Sequence, residues 1–235
     1  MKQIFQISAI CMMAISTAMT GQVDASPFIP SAPIGLNPGD SYRMVFVTAG
    51  TRDALSTDIA DYNAFVDGEA GLLSPDGLTN LTWTAIASTD AVDARDNTGT
   101  TALIGLPIFR VDGALVASDY AELWGGSITA PILLDQAGVV QDVFVWTGSG
   151  PDGRKDPSLS LGHAGGRGWV GKSLFWMQFT GRSLSEPNHF YGMSEVLTVP
   201  TSVVPEPATI TLMGIGIVGL GGFHYRRKRK YPSHS

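Results

Sequence analysis

The chain has 235 residues, a formal net charge of −6 at pH 7 and one cysteine. With six basic and two acidic residues near its ends set aside, nine basic and 19 acidic side chains remain, a charge near −10 for the body of the protein. Such a field repels phosphate backbones and excludes nucleic acid as a partner, and a lone Cys11 excludes a disulfide framework.

At the start, Met1-Lys2 is followed by a mostly apolar run from Ile4 to Ile15, then by small residues at Ser16-Thr17-Ala18 and Val23-Asp24-Ala25. That order predicts a secretory signal peptide over residues 1–25, cut after Ala25, with Ala18 as the alternative. The apolar run is too short to span a bilayer, which takes roughly 20 residues. Cys11 lies inside it, so the mature chain carries no thiol.

Residues 26–41 form a Pro-rich lead-in with Pro27, Pro30, Pro33 and Pro38. Tyr42 to Thr48 is β-branched and aromatic and predicts a strand. Ser56 offers an N-cap, Asp58 suits the first turn, and Ile59, Tyr62 and Val66 follow at helical spacing. Gly71 to Asn80 is a predicted loop, Leu81 to Ile86 a short strand, and Asp93 to Thr101 a polar loop. Pro107–Val111 and Ala114–Val116 flank Asp112-Gly113, a strong hairpin-turn dipeptide. Ser118 is placed to cap a second short helix that runs to Trp124. Val143 to Thr147 predicts a strand, Gly148 to Gly171 a long glycine-rich loop, and Ser173–Phe179 and Phe190–Val199 the closing strands. Residues 42–200 thus predict one α+β domain of short antiparallel strands with two helices and long loops.

The C-terminal part has three sections. A linker, residues 201–207, carries Val204-Pro205-Glu206-Pro207; Ala208 to Tyr225 holds no Asp, Glu, Lys or Arg; the tail, residues 226–235, opens with Arg226-Arg227-Lys228-Arg229-Lys230. Ala208 to Phe223 as a helix would be about 24 Å long at 1.5 Å per residue, a little short of the ~30 Å hydrocarbon core. His224, Tyr225 and snorkelling arginines close the gap, which predicts a transmembrane helix over residues 208–225. The basic cluster holds the tail in the cytoplasm, and the signal peptide sends the body outside. Gly214, Gly216 and Gly219 spell a dinucleotide fingerprint, but inside the apolar span it lacks the strand and βαβ unit that motif requires.

The order Pro-Glu-Pro, single span, Arg-rich patch resembles the PEP-CTERM sorting signal. The resemblance implies an exosortase-type processing enzyme as partner, acting in Gram-negative bacteria that make exopolysaccharide, and an anchor removed near Val204, Pro205, Glu206 and Pro207. The body also resembles the endostatin-like branch of the C-type lectin-like fold. The residues that carry this are Phe46-Val47-Thr48, Pro107-Ile108, Asp112-Gly113, Glu122-Leu123-Trp124-Gly125-Gly126-Ser127, the block from Val145 to Arg154, and Phe190-Tyr191-Gly192 to Leu197-Thr198-Val199. This chain departs from that fold in having no disulfide cysteines and no basic surface, so heparin-like binding is not implied.

Glu186-Pro187-Asn188 matches a motif with which calcium-dependent lectins hold calcium and sugar hydroxyls together. Calcium takes six to eight oxygens, and the Trp-Asn-Asp partner motif is absent, so calcium is a candidate cofactor only there and at two acidic loops. Those loops carry Asp93, Asp96 and Asn97, and Asp152 and Asp156; neither fits the D-x-[DN]-x-[DN]-G pattern. The body holds two histidines, His163 and His189, with no H-E-x-x-H and no G-x-S-x-G. Core packing is the expectation for Trp83, Trp124, Trp146 and Trp176, whereas Trp169 lies in a glycine-rich loop beside Arg167, where it either packs beneath the loop or stacks on a sugar ring. The expectation is a non-enzymatic surface or matrix protein that binds exopolysaccharide, a surface glycan or a protein through Glu186, Asn188 and Trp169. The alternatives are a secreted hydrolase and a purely structural matrix component.

Overall fold

The computed structural model describes residues 33–71, 81–102 and 104–200. The predicted signal peptide, the sorting motif, the transmembrane helix and the basic tail lie outside the described residues, as does most of the predicted Gly71–Asn80 loop.

The apolar run after Asp40 forms β1 (Ser41–Val47), in which Met44, Val45, Phe46 and Val47 are all buried. Consecutive buried side chains require apolar cover on both faces of a strand, and the core divides accordingly. Val45 and Val47 join Ile108, Val145, Tyr191 and Met193 on one side. Met44 and Phe46 join Tyr62, Val66, Trp83 and Phe190 on the other. This second core is covered by α1 (Ile59–Ala70), whose Tyr62, Val66 and Ala70 are buried. The N-cap is Asp58, whose carboxylate accepts from Ala60 N at 2.9 Å. Ser56, the cap expected from sequence, instead donates to Asp61 at 2.6 Å.

The remaining elements are β2 (Trp83–Ala85), α2 (Ala94–Asn97), β3 (Ile108–Arg110), β4 (Leu115–Ala117), α3 (Tyr120–Leu123), β5 (Phe144–Trp146), β6 (Gly166–Trp169), β7 (Thr180–Gly181), β8 (His189–Ser194) and β9 (Leu197–Thr198). One sheet runs β4-β3-β1-β8-β5-β6-β7. β9 continues the edge of β1 that β8 occupies, and β2 continues the edge of β8 that β5 occupies. The hairpin about Asp112-Gly113 forms as expected, with Gly113 at φ 85°.

The structure corrects the expected domain in several places. The sheet is mixed rather than antiparallel: β1 pairs parallel with β3, and β5 with β8. Parallel partners are joined by long crossovers, and apolar alternation carries no sign of strand direction. Three helices are present among the described residues, not two. The extra one, α2, forms where a polar loop is predicted, with Ala94 buried beneath it and the Thr98 hydroxyl donating to Ala94 O at 2.9 Å. The long glycine-rich segment contains β6. Ser173 to Phe179 is not a strand; it crosses β6 so closely that a Cβ on Gly168 would lie 1.7 Å from the Trp176 carbonyl oxygen.

The chain comes into the sheet and leaves it side by side. Gly39 N donates to Val199 O, and Val199 N to Asp40 O, each at 2.9 Å. Among the described residues no helix is long and apolar enough to cross a membrane.

Candidate functional site

At the far end of the sheet from that crossing point, β5 and β6 bring aromatic residues together. Antiparallel register sets Phe144 opposite Trp169, with ring centroids 5.9 Å apart. Phe179 stacks on Phe144 at 5.9 Å and meets Trp169 edge-on at 5.7 Å, and Phe175 extends the row 5.8 Å from Phe179. Phe175 and Phe179 remain 44% and 46% exposed, and Leu174 beside them 62%. Large apolar side chains left in water as a contiguous patch mark an interaction surface more often than scattered ones do. Polar groups border the ridge. Trp169 Nε1 donates to Asp142 at 2.7 Å, and Lys172 Nζ stands 5.2 Å from the Trp169 ring centroid.

Beneath the ridge, Arg167 is only 4% exposed. Its guanidinium lies 4.4 Å from the Phe144 ring centroid and 5.8 Å from that of Trp146, an arrangement favoured by the ring quadrupoles. Nη1 donates to Asn188 Oδ1 at 3.2 Å and lies 3.8 Å from Glu186 Oε2, while the buried Nε has no partner. Burial and the nearby Arg182 lower the affinity of Arg167 for its proton; Glu186 opposes them. The Glu186-Pro187-Asn188 turn is closed from its other side, where Arg52 and Asn188 exchange two backbone hydrogen bonds of 3.1 and 3.0 Å. Trp146 Nε1 donates to Glu186 O at 3.2 Å.

The structure therefore brings the residues nominated from sequence to one place. Glu186 and Asn188 meet on Arg167, and Trp169 sits two residues further along the same strand. Trp169 is half-buried on β6 rather than in a loop. Phe144, Phe175, Phe179 and Arg167 as a buried cation were not nominated. The available signal was Phe144, second in Val143–Thr147, together with two phenylalanines spaced four apart in a stretch read as a strand.

Of the other candidate oxygens, those of Asp96 lie exposed, and the rest are engaged internally. Asp93 Oδ1 accepts from Lys155 N at 2.8 Å, and Asn97 exchanges amide hydrogen bonds with Asn63. Asp152 faces Arg154 at 3.8 Å, and Asp156 accepts from Ser158 N and Gln178. Among the described residues no group of three or more His, Cys, Asp or Glu side chains is arranged to hold a metal ion. His189 Nδ1 faces Thr48 O at 2.6 Å. His163 Nδ1 lies 3.8 Å from Asp90, and the Ser160 hydroxyl donates to the same carboxylate. A serine nucleophile needs the imidazole between hydroxyl and carboxylate; here the carboxylate is in the middle.

The C-terminal segment is similar to a surface-sorting signal of exported proteins. Residues 203–228 match the family model of the PEP-CTERM protein-sorting motif, which implies processing by an exosortase. No curated protein matches the chain.

Proposed function

We propose that this is an exported surface protein whose domain binds a glycan, without catalysing its turnover, through the ridge Phe144–Trp169–Phe179–Phe175. A signal peptide over residues 1–25 and a membrane helix over residues 208–225 would hold the domain outside the cell until the anchor is removed. The observation that carries the binding reading is a contiguous row of aromatic rings in stacked, tilted and edge-on contact, partly exposed and bordered by Asp142 and Lys172. Flat apolar faces with polar groups at their margin suit pyranose rings, which are apolar on their faces and hydroxylated around their edges. The turn at Glu186 and Asn188 serves this reading as support for the ridge. Its oxygens face the Arg167 guanidinium, a position in which a divalent cation would be repelled, so binding is proposed to be independent of calcium.

The buried Val145-Trp146-Thr147-Gly148 block and the order of elements from β1 to β9 are compatible with an endostatin-like, C-type lectin-like domain, and the domain is proposed as such. The test is a glycan array probed with the wild type and with Phe179→Ala and Trp169→Ala, in calcium and in EDTA. Each substitution should weaken binding by about 2 kcal/mol, near 30-fold, as expected for a central aromatic contact. Binding should be equal in calcium and EDTA. Unchanged affinity in both variants would remove the ridge from the site.

A further inference from the structure

The charges around the ridge run against those of the rest of the domain. Nine basic side chains serve a body with 19 acidic ones, yet Arg167 lies on β6, Lys172 shortly after it, and Arg182 directly after its partner strand β7. Lys172 stands over Trp169 and Arg167 lies under Phe144. Arg182 occupies the rung after Arg167–Thr180 and Gly166–Gly181, where its N–H donates to Gly165 O at 3.0 Å. The carboxylates that touch this group are Glu186, 3.8 Å from Arg167, and Asp142, spent on the indole of Trp169. Acids elsewhere on the domain count for little beyond a screening length of about 8–10 Å. The result is three of the domain's nine cations gathered beside exposed aromatic rings, with Glu186 the carboxylate that faces Arg167. The central cation is nine-tenths buried and keeps an unpartnered Nε.

We propose that the ligand of the ridge is an acidic polysaccharide with one carboxylate per sugar, its rings on Phe179 and Trp169 and its carboxylates received by Arg182 and Lys172. This deepens the glycan-binding reading and rests on it. A single excess charge matches sparse monovalent carboxylates. A densely sulfated chain would run onto the negative remainder of the domain.

The experiment is affinity electrophoresis of the full-length chain in detergent and EDTA. The gels contain polygalacturonate, the same polymer with its carboxyls reduced, or dextran. The wild type should be retarded by polygalacturonate. Arg182→Gln or Lys172→Gln should each weaken binding by about tenfold, the size of one lost charge-assisted contact, and carboxyl reduction, which removes both contacts, by about a hundredfold. Phe179→Ala should abolish retardation by every polymer. Equal binding to the carboxyl-reduced polymer, or no effect of either glutamine variant, overturns the acidic-ligand assignment and leaves the ridge as a neutral-glycan site. Retardation that survives Phe179→Ala but not Arg182→Gln is ion exchange away from the ridge and also overturns it. If no polymer binds, and sedimentation shows a dimer that Phe179→Ala dissociates, a second copy covers the ridge and both readings fall.

Discussion

Gly168 shows how one residue can serve two segments at once. It sits in β6, where its missing side chain lets the 173–177 segment cross with the Trp176 carbonyl 1.7 Å from where a Cβ would be. The contact is with backbone, so no rotamer change relieves it. Gly168→Ala should cost about 3 kcal/mol or more in urea unfolding, near the upper end for overpacking, because two backbones must separate. Gly68 is the contrast, lying inside α1 with nothing within 4 Å of its Cβ position. There, Gly68→Ala should stabilise by about 0.5–1 kcal/mol. If Gly168→Ala unfolds at the wild-type urea concentration, the crossing is looser than described. In sequence both residues are simply glycines, and Gly165-Gly166-Arg167-Gly168 reads as loop by composition. The close approach that explains Gly168 comes from a segment several residues further on, beyond the reach of local propensity. Trp169 could be singled out because it stood beside these glycines. Phe144 and Phe179 could not, since an aromatic residue in a strand-like run packs into a core by default.

At the scale of elements, β2 shows how a short strand is kept at an edge. It pairs with β8 on one side, and its outward N–H groups are taken by side chains of α1. Trp83 N donates to Asp67 Oδ1, and Ala85 N to Asn63 Oδ1, each at 2.9 Å. Asn97 of α2 completes the arrangement, donating to Asn63 Oδ1 and to Ala85 O at 2.8 Å. Exposed strand edges invite pairing with other chains, and here two helices close one. Asn63→Leu leaves Ala85 N without an acceptor and Asn97 with only its bond to Ala85 O, and should destabilise by about 2 kcal/mol. Asn63→Asp, which keeps the acceptor, should cost less. Equal losses in the two, read by thermal unfolding, would mean the hydrogen bonds are not what the helix contributes. β1, the β3–β4 hairpin, α1 and β5 were legible because each has its own apolar period or turn dipeptide. Strand direction, the short α2 and the two-rung β7 were not, because each depends on partners distant in the chain.

For the whole molecule, the end segments and the body were legible to different degrees. The sorting signal is a linear arrangement of motif, apolar run and basic patch, so sequence alone carries it, and residues 203–228 match it as a unit. In a host that supplies the exosortase, the wild type should appear in the medium at a mass lacking the residues beyond the Pro205-Glu206-Pro207 region. A variant with Pro205→Ala and Glu206→Ala should remain in the membrane fraction at the mass it has before sorting. Mass spectrometry of both fractions decides it, and identical masses for the two chains would mean the motif does not direct cleavage. The aromatic ridge, by contrast, arises only when β5, β6 and the 173–182 segment assemble, so one residue of its four-ring row was visible beforehand.

The hydrogen-bonded crossing of Gly39 with Val199 has a mechanical consequence. By register, Phe144 and Trp169 stand level with Asn188, on the order of 30 Å along the strands from the point where the chain leaves β9, at about 3.3 Å per residue. Force applied between the chain's exit and the aromatic ridge would therefore pull lengthwise on β1, β8 and β5. Their cross-strand bonds would be loaded together in shear instead of being peeled apart one rung after another.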